Sequence, residues 1–126
     1  MRLLAVIVMI IGLASVVLGV IFIFQANAGN QEIIDQIAPL EISQVEDRYD
    51  QVDATVEQLK VAEGAALQAG NPSNSYLYVS AQRTSLGLTK SNIGNVKAAR
   101  MNGIVDIVLG VGLVLAGWGI YKKSAA

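Results

Sequence analysis

Neither cysteine nor histidine occurs in these 126 residues, which removes disulfides, thiolate nucleophiles, zinc and haem ligation and the usual general base together. Charge is scarce as well, at 15% of the residues, and proline occurs only twice. Nine Lys and Arg against ten Asp and Glu leave a net charge of -1, so no basic surplus suits a nucleic-acid backbone. No serine has a histidine or an obvious lysine base beside it, and a hydrolase therefore has no machinery in view. The expectation is a non-enzymatic protein with no catalytic residue, no cofactor, no bound metal and no nucleic-acid partner.

What fills the chain instead is apolar: 53% of residues are hydrophobic and the mean hydropathy is +0.50. Residues 3–24 carry no charge over 22 positions, and as a helix they reach about 33 Å, enough for a hydrocarbon core of roughly 30 Å. A second stretch, 104–121, is interrupted only by Asp106 and is followed by Lys122 and Lys123. Trp118 and Tyr121 suit one interface of that span. Arg2 and Ala26-Asn27-Ala28 also give the first stretch the look of a cleaved signal peptide, but it is long for such an apolar core, and it reads as a retained span. The flanking Arg2, Lys122 and Lys123 put both termini in the cytoplasm and residues 26–103 outside. The expected location is a plasma (inner) membrane, crossed twice.

Between the spans the spacing is helical. Ile42, Val45, Tyr49, Val52, Val56 and Leu59 recur at steps of three and four, the seam of a coiled coil or helical bundle. Ala-Gly-Asn-Pro-Ser-Asn at 69–74 is the strong turn signal. Val79, Leu86 and Ile93 then resume at heptad spacing, joined by Val96. The fold class expected is all-α: two transmembrane helices joined by an extracytoplasmic antiparallel helical hairpin, coiled-coil or four-helix-bundle-like on association. Its parts are a first span at 1–25, a linker and short amphipathic interfacial helix at 26–39, the hairpin at 40–103, a second span at 104–121 and a cytoplasmic tail at 122–126. Asn27, Ala28, Gly29 and Asn30 read as the linker, and Pro39 as the end of the interfacial helix. A single long helix kinked at Pro39 is the alternative.

Charge separates the hairpin arms. Seven acids and two bases leave 40–68 at -5, whereas Arg83, Lys90, Lys97 and Arg100 give 75–103 a charge of +4. Folding about position 71.5 sets Lys90 opposite Asp53, Lys97 opposite Glu46 and Tyr49 over Gly94. A merely solvated face is the rival, since exposed pairs contribute only about 0–1 kcal/mol. The second arm, rich in Ser, Thr, Asn and Gly, is a weak intrinsic helix that needs packing to form.

A second periodicity lies in the spans. Ala5, Gly12, Gly19 and Ala26 fall every seventh residue, as do Gly103, Gly110, Gly117 and Ser124. Such rows let helix backbones approach closely, and antiparallel matching pairs 26 with 103, 19 with 110, 12 with 117 and 5 with 124. A partner span in the same chain and one in a neighbouring copy both fit these rows. Asp106 lies on this small-residue face as the one ionisable group within a span, a default candidate for proton or ion handling, with Gln25 or Arg100 as a structural partner in the competing view.

Other signals are weak. Gly110, Gly112 and Ala116 mimic a dinucleotide fingerprint without the strand it requires. Glu46, Asp47 and Asp50 lack the loop of a calcium site. Tyr76 and Tyr78 stand beside the turn, where they could dock a partner or cap it. A two-helix hairpin buries too little to stand alone, which predicts a homo-oligomer or a place as accessory subunit of a larger membrane complex, in contact with membrane lipid. The layout of span, paired arm and span resembles the four-helix-bundle sensor module of bacterial chemoreceptors, which implies ligand sensing between the arms. The chain departs from that module in ending at Ala126, five residues past Tyr121, so a signal would need a separate partner. A holin-like pore is the third expectation, opposed by spans whose polar residues are few, Ser15 and Asp106 among them.

Overall fold

The computed structural model describes residues 1–125, and the Ala126 end of the expected tail lies outside them. They form α1 (Arg2–Ile37), a 3-10 turn (Ile42–Gln44), α2 (Val45–Ala62), α3 (Gly64–Gln68) and α4 (Asn74–Ala125). No strand occurs among the described residues, as the period of the sequence requires. Helices α1 and α4 are long and apolar enough to cross a membrane.

Both helices overrun the expected segment boundaries. The linker at 27–30 is absent, because α1 continues through it to Ile37. Its buried and half-buried residues keep alternating steps of four and three, through Gly19, Ile23, Ala26, Asn30, Ile33 and Ile37. That packed stripe outweighs the weak propensity of Asn27, Gly29 and Asn30. The helix stops where Pro39 bars the residue before it from helical geometry, and the Ala38–Pro39 bond is cis. There is likewise no boundary at 103 or 121, since α4 is one helix of 52 residues. Ile42, expected on the α2 seam, stands in the 3-10 turn instead.

Contacts divide the chain into two compact units, one of Met1–Asn30 with Asn95–Ala126 and one of Gln31–Gly94. In the first unit the small residues of α1 lie against those of α4: Ala5, Gly12, Gly19, Gly103, Gly110 and Gly117 are all buried there, with Ala26 at 2% exposure. The side chains around them, from Leu3 to Tyr121, are largely exposed apolar groups.

The second unit is built around Ile33, Ile37, Val45, Val52 and Val56, its buried residues. Here α2 runs antiparallel to α4, with Glu46 meeting Lys90 and Asp53 meeting Arg83. The end of α1 and the start of α2 lie along the same stretch of α4. Gln36, Ile37 and Leu40 from the first, and Gln44, Asp47 and Gln51 from the second, share one groove with Gln82, Ser85, Leu86 and Thr89.

The reversal between α2 and α4 is broader than a single turn at 69–74. After Ala62 the chain bends at Glu63 into the short α3. That helix closes with Asn71 N–H donating to the Ala66 carbonyl at 2.9 Å and Gly70 N–H to Leu67 at 3.1 Å, the double bond of a Schellman end. Gly70 supplies the left-handed residue the motif needs, at φ 74°. Ser73 then caps α4: its Oγ accepts from Tyr76 N–H at 3.1 Å and donates to Glu63 at 2.6 Å. Gly70→Ala should lower the stability of this unit by about 1 kcal/mol, since an added Cβ meets no neighbour but the left-handed backbone strains it. A chemical-denaturation midpoint equal to wild type would contradict that assignment.

Candidate functional site

Two arrays carry the predicted site residues, one in each unit. In the first, the small-residue rows do face each other within one chain, but one heptad away from the expected register. Gly12 meets Gly110, Gly19 meets Gly103 and Ala5 meets Gly117. A Cβ on Gly12 would stand 2.6 Å from the Gly110 carbonyl oxygen, and one on Gly19 would stand 2.5 Å from that of Gly103. The row ends differently as well: a Cβ on Gly29 would stand 3.1 Å from Val96 Cγ2, and Ala26 does not pair with Gly103. Any period-seven row packs almost equally well after a slip of seven, so the small residues leave the register undecided. Polar groups break the tie. Ser15 Oγ donates to the Asp106 main-chain carbonyl at 2.9 Å, and Arg100 donates to Asn27 Oδ1 at 2.7 Å. The second is specific to this register: in the expected one Asn27 would fall beside Ile107 and Arg100 would lose its side-chain acceptor.

Asp106 is thus held through its backbone. It is half-buried, and its carboxylate has no hydrogen-bond or ion-pair partner among the described residues. Neither expected partner, Gln25 or Arg100, bonds to it; Arg100 is engaged by Asn27.

The second array is ionic, and it too is displaced by one heptad. Lys90 pairs with Glu46 at 2.9 Å, not with Asp53, and Asp53 takes Arg83 at 2.9 Å. Tyr49 lies against Gly87, 3.4 Å from where its Cβ would be, and not over Gly94. Lys90 also stands 5.3 Å from the Tyr49 ring centre, within cation–π range. Lys97, expected opposite Glu46, belongs to the other unit. The cause is the broad reversal: adding α3 to the connection moves its midpoint from 71.5 to about 68, one heptad when doubled. Arg83, for which the sequence offers no evident partner, links Asp53 to Glu57, which Lys60 also holds at 2.7 Å. Its signal was present, because Arg83, Lys90 and Lys97 form a heptad row of their own.

These partners shift the titrations. Lys60, ahead of Arg83, lowers Glu57 below its ordinary 4.5. The Tyr49 hydroxyl, then Asp53, raises Arg83, and Glu46 raises Lys90 above 10.5. A lowered acid stabilises the fold above its ordinary pKa and loses that contribution as pH falls through the folded value; raised bases lose theirs only as pH rises through the higher values. The α2 amides should therefore keep level hydrogen-exchange protection from about pH 5 to 9 and lose part of it below about 4.5. Protection that increases on acidification would contradict these pairings.

Charge sorts by unit. Residues 31–94 hold nine acids and four bases, whereas the rest of the chain holds five bases and Asp106 as its one acid. The second unit also carries an open groove of about 880 Å³, with Ile37, Leu40 and Leu86 among its apolar lining and Gln36, Gln44, Gln51 and Gln82 among its polar lining. No three metal-binding side chains cluster among the described residues. Tyr78 is exposed and accepts from Gln82 at 3.2 Å, while Tyr76 is half-buried beside the Ser73 cap. No family model, no curated protein and no solved structure matches this chain.

Proposed function

We propose that this chain is a non-enzymatic integral membrane protein that works by assembly, associating with further copies or with larger subunits through the helices of its first unit. In this reading α1 and α4 both cross the plasma (inner) membrane, with the two termini cytoplasmic and 26–103 extracytoplasmic. The observation that carries it is a second row on α4. Asn95, Ala98, Asn102, Val105, Leu109, Gly112, Ala116 and Gly119 follow alternating steps of three and four, all are exposed, and none is charged. A Cβ on Gly112 or Gly119 meets nothing within 4 Å. With the inner seam already filled by α1, this outer face is where another helix can approach closely. Asn95 and Asn102 take positions at which a buried amide fixes register in parallel helix pairs.

The native chain lacks cysteine, so single cysteines report contact directly. Placed at Val105, Leu109, Gly112, Ala116 or Gly119, they should cross-link copies in the membrane, whereas Ile107 and Val114 positions should not. Native mass spectrometry then separates multiples of 13.3 kDa from stoichiometric larger subunits. Cross-linking without periodicity, together with a lone 13.3 kDa species, would sink the proposal.

The groove favours a second reading, a chemoreceptor-like sensor module. Four glutamine side chains over an apolar floor suit a small polar ligand. Ligand-dependent protection of α2 and of 82–89 would support it. A holin-like pore is the weaker rival, because backbone contact along the Gly12 to Gly110 seam leaves no lumen inside the helix pair.

A further inference from the structure

One end of the first unit gathers cations from both ends of the chain. Arg2 Nε donates to the Ser124 carbonyl at 3.2 Å, which brings its guanidinium to the last turn of α4, where Lys122 and Lys123 stand. Arg2, Lys122 and Lys123 are exposed, and none has a carboxylate partner among the described residues. The nearest acid along α4 is Asp106, 16 residues before Lys122, or about 24 Å along the helix. On α1 the first acid is Glu32, about 45 Å from Arg2. No acidic side chain among the described residues therefore lies near these cations. Beside the three cations, Leu3, Leu4, Trp118, Ile120 and Tyr121 expose apolar surface.

We infer that Arg2, Lys122 and Lys123 form a docking surface for the headgroup of an anionic phospholipid, whose acyl chains lie along the exposed Leu3, Trp118 and Tyr121. Charge complementarity selects the occupant. A headgroup with net negative charge meets three cations with no acidic side chain beside them among the described residues, the guanidinium keeps donors beyond the one given to Ser124, and each cation near an anionic surface favours such lipid by roughly fivefold. A zwitterionic headgroup gains little of this.

The inference rests on the membrane reading above, and Trp118, the sole tryptophan, tests the two separately. The full chain is placed in phosphatidylcholine bilayers containing a minor, equal fraction of brominated phosphatidylglycerol or brominated phosphatidylcholine, and quenching of Trp118 is read. The expected result is quenching several times deeper with the anionic lipid, weakened by salt and reduced to the zwitterionic level in Arg2→Gln/Lys122→Gln/Lys123→Gln. Equal quenching by both lipids in the native chain would overturn the docking surface while leaving the membrane reading in place. Excess quenching that survives the triple substitution would overturn the assignment to these residues. No quenching by either lipid would overturn both. Unchanged quenching of the triple variant by the brominated zwitterionic lipid shows that it still inserts.

Discussion

Gly110→Ala is expected to destabilise the α1–α4 pair by about 1–3 kcal/mol, the usual cost of overpacking, and Gly110→Leu to separate the helices. The added Cβ would stand 2.5 Å from the Gly12 carbonyl oxygen and 2.8 Å from Val16 N. Both atoms belong to a backbone that cannot swing aside as a flexible side chain would. Gly12→Ala meets the mirror situation, with the Gly110 carbonyl at 2.6 Å. The control lies two residues away: Gly112 has nothing within 4 Å, so Gly112→Ala in the isolated pair should be neutral or stabilising by roughly 0.5–1 kcal/mol through helix propensity alone. Reversible unfolding in mixed micelles, followed through Trp118, reads both. Equal effects at 110 and 112 would show that the close seam does not hold these helices.

Val56→Asp should unfold the second unit while leaving the first paired. Val56 is 1% exposed, and it is one of five buried residues in that unit. An aspartate there would be a desolvated charge with no cation assigned to it, and its helical neighbours Asp53 and Glu57 add repulsion. Isolated buried charges cost about 3–5 kcal/mol, more than so thin a core can absorb. The expected readout is loss of amide protection through α2 with Trp118 emission unchanged. Retained protection in α2 would mean that α2 is not held by the core described.

Which features were legible follows from the interactions that set them. The apolar stripes and both small-residue rows were readable, because the side chains that must be buried or minimal recur at helical periods. The register was not, in either unit, for a shared reason. Heptad rows look the same after a slip of seven, and the deciding contacts are single polar side chains such as Arg100 on Asn27, or the length of a connection that α3 extends. The false linker had the same origin at smaller scale: Asn27, Gly29 and Asn30 read as loop residues locally, yet the stripe through Ala26, Ile33 and Ile37 carries the helix past them. Arg83 was visible as a charge and invisible as a bridge, since its two partners depend on that same register.

The shared groove in the second unit has a mechanical meaning. Because the end of α1 and the start of α2 both flank residues 82–89 of α4, the break at Pro39 is a lap joint and not a butt joint. Two segments overlap along a common third member across the discontinuity, so force carried along one passes to the other by shear through packed side chains rather than through the covalent bend. Such a joint tolerates a change in the length or composition of residues 38–44 far better than the loss of one overlapping side chain such as Ile37.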